Sequence, residues 1–199
     1  MNSLFPKLYD LAMKPLEATR FKKVRTDLVQ TATGNVLEIG SGTGINFPYY
    51  RDADQVVAVE PNPSMSKRAV HRGKNASVRI IVHEASAESL PFDDNTFDTV
   101  IATLVFCTIP DPYKALQEIQ RVSKVNARIL FFEHVRMEQQ LLGKTQDFLN
   151  PIWQMICDGC QLNRDTLNMI TYSGIEITKI ESLYAKLFLT IECLNVKSE

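Results

Sequence analysis

The chain has 199 residues, 45% hydrophobic and 23% charged, which suits one globular domain that needs neither disulfides nor metals to bury its core. Its 22 basic and 23 acidic side chains nearly cancel, so no global field draws in a nucleic acid, an anionic membrane or a polyanionic substrate. No apolar run reaches the roughly 18 residues of a membrane span, and Pro6, Pro15 and several charges interrupt the N-terminus where a signal peptide needs an apolar centre; a cytoplasmic protein without a transmembrane segment is expected.

Apolar residues recur at helical spacing in 4–13, through Leu4, Leu8 and Leu11, and in 16–32, through Phe21, Val24, Leu28 and Val29. Two N-terminal helices broken near Pro15 are predicted, and 1–33 reads as a helical cap. Arg20, Lys22, Lys23 and Arg25 form a short basic run, either a solvated helix face or a contact for a peripheral membrane surface or partner.

From residue 35 the pattern alternates. Short apolar strands are predicted at 35–39, 55–59, 78–82, 97–103 and 126–133, with helices near 44–51, 63–73 and 112–123 as crossovers. This rhythm specifies an α/β fold with a doubly wound, Rossmann-like, mostly parallel sheet. Beyond His134 the rhythm changes. Segment 138–160 concentrates Leu141, Leu142, Phe148, Ile152, Trp153, Met155 and Ile156 around Pro151, and a short helix is predicted near 164–172. Residues 138–172 thus read as a helical insertion that lines a substrate pocket. The last two strands, 175–180 and 187–196, are joined by only about six residues, and a parallel return needs a dozen or more. They are antiparallel, completing a seven-stranded sheet in a single domain over 1–199.

Ligands of open α/β sheets bind at the carboxyl ends of strands. Here Val36-Leu37-Glu38-Ile39 runs into Gly40-Ser41-Gly42-Thr43-Gly44, and Val56-Val57-Ala58-Val59 runs into Glu60. Glycines let backbone approach a ligand where a Cβ would collide, and Glu60 is placed to accept hydrogen bonds from two ribose hydroxyls. A dinucleotide fingerprint needs its last glycine where this chain has Ile45, which argues against a nicotinamide oxidoreductase.

The G-x-G-x-G loop preceded by Glu38 resembles that of class I S-adenosylmethionine-dependent methyltransferases, over about residues 36–135 and more loosely to the end. The resemblance implies S-adenosylmethionine as cofactor and S-adenosylhomocysteine as product, with Gly40, Ser41, Gly42 and Gly44 beside its methionine and ribose parts. It implies that Glu38 helps fix this loop, that Glu60 holds the ribose, and that Pro61 and Met65 wall the adenine. Ser86-Ala87-Glu88-Ser89-Leu90-Pro91-Phe92 resembles the family segment at the adenine amino group, with Ser86 where an aspartate is common. Thr103, Leu104 and Val105 match the segment lining the reacting side, and Tyr9 matches a tyrosine that closes over the cofactor in related quinone and lipid methyltransferases; core packing is the other role open to Leu104, Val105 and Tyr9.

Thr103-Leu104-Val105-Phe106-Cys107, Phe132-Glu133-His134-Val135, and Asn150-Pro151-Ile152-Trp153 with Asp158-Gly159-Cys160 resemble the branch that includes membrane-associated alkyl-thiol methyltransferases. That branch carries a hydrophobic N-terminal anchor, which this sequence does not show. The expected activity is methyl transfer to a small lipophilic acceptor, a thiol by this resemblance, with His134 or Glu133 as proton acceptor. A strand-end histidine satisfied by backbone is the alternative for His134. Rival readings are a phospholipid or quinone acceptor and a non-catalytic cofactor-binding module. Cys157 and Cys160 form a C-x-x-C without a second pair or a nearby histidine cluster, and are expected to be structural and metal-free.

Overall fold

The computed structural model describes residues 20–157 and 159–197. The expected helix at 4–13, with Tyr9, lies outside the described residues, as does Asp158. Helix α1 (Arg20–Val29) leads into strand β1 (Thr33–Ile39), followed by β2 (Asp52–Val59), helix α2 (Pro63–Gly73), β3 (Arg79–His83), β4 (Phe97–Thr103), helix α3 (Pro112–Val122) and β5 (Ser123–His134). Helices α4 (Gln140–Ile156) and α5 (Thr166–Tyr172) precede β6 (Glu176–Leu183) and β7 (Phe188–Leu194). The sheet order is β3-β2-β1-β4-β5-β7-β6. Strands β1 to β5 pair in parallel, and β7 runs antiparallel to both β5 and β6. This is the expected doubly wound seven-stranded sheet.

Successive residues of a strand point to opposite faces, and here both faces are covered. Leu37, Ile39, Val57, Val59, Ile129 and Phe131 enter one core beside α3, whereas Val36, Val56, Ala58, Leu130 and Phe132 enter the other beside Phe21, Leu28 and Val29 of α1. Glu38 has the parity of the second face and is buried there, at 2% exposure. Helices α2 and α3 start on matching devices. The Asn62 side chain accepts from Ser64 N at 3.0 Å and the Asp111 side chain from Lys114 N at 3.1 Å, each followed by a proline, whose missing N–H costs nothing in a first turn.

Residues 44–51 depart from the expected helix and form only a short 3-10 turn, Phe47–Tyr49. Gly44 at φ +79° is outside the helical region, and Tyr50, at ψ 132°, is already extended where a helix would continue. Residues 138–172 hold α4 and α5, with Pro151 inside α4. In α4, Leu141, Phe148, Met155 and Ile156 are 68–87% exposed, and only Gly143 and Gln146 are buried. No helix among the described residues is long and apolar enough to cross a membrane.

Candidate active site

The first strand end is organised by Glu38. Its Oε2 accepts from Tyr50 Oη at 2.7 Å and its Oε1 from Asn46 Nδ2 at 2.9 Å. Asn46 in turn accepts from Arg25 Nη1 at 2.9 Å, and the Thr103 hydroxyl accepts from both Arg25 (2.8 Å) and Asn46 (3.0 Å). One network therefore ties α1, the glycine loop and the end of β4. Burial raises the Glu38 carboxyl from 4.5 to about 7, against the opposing pull of Tyr50, Asn46 and Arg25.

Gly40 marks where the loop meets β4. At φ +61°, a Cβ there would lie 2.1 Å from Val105 Cγ2, so a side chain has no room. Gly42, at φ +56°, is the opposite case: its Cβ would meet only Met65 Sδ, at 4.0 Å, which leaves space in front of the loop. Gly42 N donates to Glu60 Oε2 at 2.9 Å and Asn62 N to Glu60 Oε1 at 2.8 Å, holding the carboxylate at the end of β2. Ser41 Oγ is buried without a hydrogen-bond partner among the described residues. Gly40, Ser41, Gly42, Glu60 and Met65 are thus brought together, with Gly44 packed on Phe47 behind them and Pro61 exposed at the rim.

At the third strand end the Ser86 hydroxyl bonds to the Glu88 carboxylate, whose Oε1 also accepts from Asp111 N at 3.2 Å. Ala87 is part of the core. At the fourth, Leu104 takes φ +52°, a backbone sparsely populated by branched residues, while its amide donates to Phe132 O at 2.7 Å. Such outliers concentrate at functional sites. Val105 N and Phe106 N both donate to Glu133 Oε1, at 3.0 and 3.2 Å. Glu133 Oε2 is buried without a partner among the described residues, and burial raises this carboxyl to about 7 despite those two amides.

Sequence spacing pairs Cys160 with Cys157, whereas the fold takes it elsewhere. Cys160 Sγ lies 3.4 Å from His134 Nε2, and these atoms and Cys107 Sγ lie within 4.8 Å of one another. Cys107 Sγ donates to Leu104 O at 3.9 Å; its interaction with Cys160, with His134 and Trp153 adding to the effect, holds the Cys160 thiol below its ordinary range, while interaction with Cys160 and burial hold the Cys107 thiol above it. Arg164, 5% exposed, donates to Phe106 O at 2.8 Å and Ile109 O at 2.6 Å, and Gln161 N donates to Cys107 O at 2.8 Å. These bonds clamp segment 160–164 onto the loop after β4. Sequence reasoning missed this convergence and Arg164, because 26 to 58 residues separate the partners; it also missed Arg25, Asn46 and Tyr50. Two surface depressions are lined by none of these residues, one of 340 Å³ at Val70, Ile80 and Val82 and one of 440 Å³ at Met137, Leu167 and Leu189.

The family described as a methyltransferase domain matches residues 37–131. The chain is 38% identical to thiol S-methyltransferase TMT1B of Rattus norvegicus, across 90% of this chain and 78% of that protein. It is 27% identical to phosphatidylethanolamine N-methyltransferase of Cereibacter sphaeroides, across 61% of each. A SAM-dependent methyltransferase from Aquifex aeolicus has the same fold, with a TM-score of 0.70 at 17% identity, covering 98% of this chain and all of that one.

Proposed function

The chain belongs to the class I S-adenosylmethionine-dependent methyltransferases, and we propose that the acceptor it methylates is a small lipophilic thiol. The observation that carries this reading is the 38% identity, over 90% of the chain, to a thiol S-methyltransferase.

The residues at the strand ends fit the cofactor. The buried Ser41 hydroxyl has an unused hydrogen bond, the front of Gly42 is open, and the Glu60 carboxylate is held still by two backbone amides. In this reading Glu60 binds the ribose hydroxyls, the loop Gly40, Ser41, Gly42 and Gly44 flanks the amino-acid part, Met65 and Pro61 cover the adenine, and Ser86, Ala87 and Glu88 meet its edge. Glu38 fixes the loop from behind, and Thr103, Leu104 and Val105 border the reacting sulfur. When bound, the cofactor supplies a methyl group on a positively charged sulfur.

Such a displacement needs no acid for its leaving group, so the protein's work is to align the acceptor, exclude water and accept a proton from the thiol. The clamp from Arg164 and Gln161 holds one wall of the acceptor site, and Glu133 supports the loop of Leu104 and Val105. Glu133 and His134 are the proton acceptors at the end of β5: Glu133 Oε2 and His134 Nδ1 are both buried and unpartnered among the described residues.

Transfer of labelled methyl from S-adenosylmethionine to an alkyl thiol, a quinone and phosphatidylethanolamine vesicles tests the reading. Label on the thiol is expected. Label on quinone or lipid alone would replace the acceptor class, and tight S-adenosylhomocysteine binding with no transfer to any of them would make the chain a binding module.

A further inference from the structure

Methyl transfer to a thiol does not by itself call for two cysteines and a histidine at one point, yet Cys107 Sγ, His134 Nε2 and Cys160 Sγ lie within 4.8 Å of one another. We propose that these three side chains form a site for a thiophilic divalent ion of the zinc class. Its remaining coordination position takes the acceptor sulfur, a role that rests on the thiol reading above.

The donor set selects the ion. Two thiolates and an imidazole nitrogen suit zinc and similar borderline-soft ions, whereas magnesium and calcium require oxygen ligands. Three protein ligands with a fourth position left over is the arrangement of catalytic zinc, in contrast to the four protein ligands of structural sites. The geometry agrees. Metal–sulfur and metal–nitrogen bonds of about 2.3 and 2.05 Å at a tetrahedral angle put sulfur and nitrogen about 3.5 Å apart, and Cys160 Sγ stands 3.4 Å from His134 Nε2.

The ligands are held by bonds that do not depend on an ion. Cys107 sits on the turn whose amides donate to Glu133, and its carbonyl accepts from Gln161 N. Cys160 precedes that same Gln161, and Arg164 ties its segment to Phe106 and Ile109. His134 ends β5, in register with Phe188 of β7. Charge also balances. The two thiolates offset the ion's two positive charges. Cys157 is not among the converging ligands, so the C-x-x-C spacing itself carries no part of the site.

Coordination would ionise the acceptor: the S–H bond breaks, a metal–sulfur bond forms and the proton passes to Glu133, the acceptor that remains when His134 is a ligand, with no change in oxidation state. Once methylated, the sulfur is a neutral thioether, a weaker ligand, which favours release. Two neighbouring thiols also have the option of a disulfide, and the test separates it.

The full chain, purified in reductant without chelator or added zinc, is expected to contain one equivalent of zinc by mass spectrometry of its metals. After removal of that zinc, Co(II) should restore one equivalent with the intense sulfur-to-cobalt absorption of a tetrahedral thiolate site, and an alkyl thiol should shift the spectrum. Cys107→Ser and Cys160→Ser should each abolish stoichiometric binding, whereas Cys157→Ser keeps it. The wild-type cobalt titration stands even if a variant fails to fold. Absence of both zinc and cobalt binding, or a Cys107–Cys160 disulfide in non-reducing peptide maps of freshly purified protein, overturns the site. Thiol methylation with no bound metal would refute the site and keep the thiol reading. Stoichiometric metal with an unmoved cobalt spectrum and transfer to lipid alone would keep the site and refute the thiol.

Discussion

The loop after β1 and the loop after β4 touch at Gly40 and Val105, but they are held in different ways. The first is supported mainly from within its own stretch of chain: Glu38 by Asn46 and Tyr50, and Gly42 by Glu60. The second is supported from far away, by Glu133 beneath its amides and by Arg164 and Gln161 over its carbonyls. In the reading proposed above, the cofactor side is therefore a compact motif, while the proposed acceptor side depends on segments that meet only when the sheet and the insertion are complete.

The junction between the two is where a change should cost most. Gly40→Ala places a methyl 2.1 Å from Val105 Cγ2 at φ +61°, and should lower stability in urea unfolding by about 3 kcal/mol, of which roughly 1 kcal/mol is the left-handed backbone. Adding Val105→Ala should recover most of the steric part, since only the Val105 Cβ, at 2.9 Å, then remains close. Failure to recover would place the strain elsewhere in the loop.

Arg164→Met tests whether the acceptor side is separable. It removes the donors to two buried carbonyls and should cost about 2–3 kcal/mol of stability, with turnover falling as segment 160–164 loosens. S-adenosylhomocysteine affinity by calorimetry should stay near wild type. A parallel loss of affinity would show the two halves to be one unit.

Glu60→Ala makes the converse cut. Loss of the ribose contacts should weaken S-adenosylhomocysteine binding by about 2 kcal/mol, near thirtyfold. Unchanged affinity would remove the ribose assignment.

Two smaller effects probe the support of the first loop. Tyr50→Phe leaves Glu38 Oε2 without its 2.7 Å donor and should cost about 1–2 kcal/mol. Glu38 also links stability to pH. Its carboxyl rises from 4.5 to about 7 on folding, so the folded state holds the proton more tightly. That contribution is complete below about 4.5 and fades as pH rises through about 7. Glu38→Gln, neutral throughout, should flatten the stability profile across this window. Glu133, raised in the same way, should keep a residual slope in that variant. Superimposable profiles would show that Glu38 keeps its charge when buried.

Most strand positions were legible because a strand buried on both faces reads as a short apolar run, and 97–103 matches β4 at both ends. The antiparallel ending followed from loop length alone. The helix expected at 44–51 failed because periodicity does not register a left-handed glycine or the pull of Glu38 on Tyr50, both of which turn the chain early. In α4, Leu141, Phe148, Met155 and Ile156 are exposed, an orientation that composition does not give, since it does not say which side of a helix meets the body of the protein.

The amino-acid sequence by itself determined the α/β rhythm, the glycine loop and the acid at the end of β2, because each depends on residues close together in the chain, where spacing translates directly into geometry. Only the tertiary structure decided that Arg25 and Thr103 join the Glu38 network, that Leu104 adopts φ +52°, and that Cys160 turns from Cys157 toward Cys107 and His134. Those contacts join strand ends and an insertion that are distant in sequence, and their positions are set by the pairing of β4 with β5 and by the clamp of Arg164 rather than by any local preference.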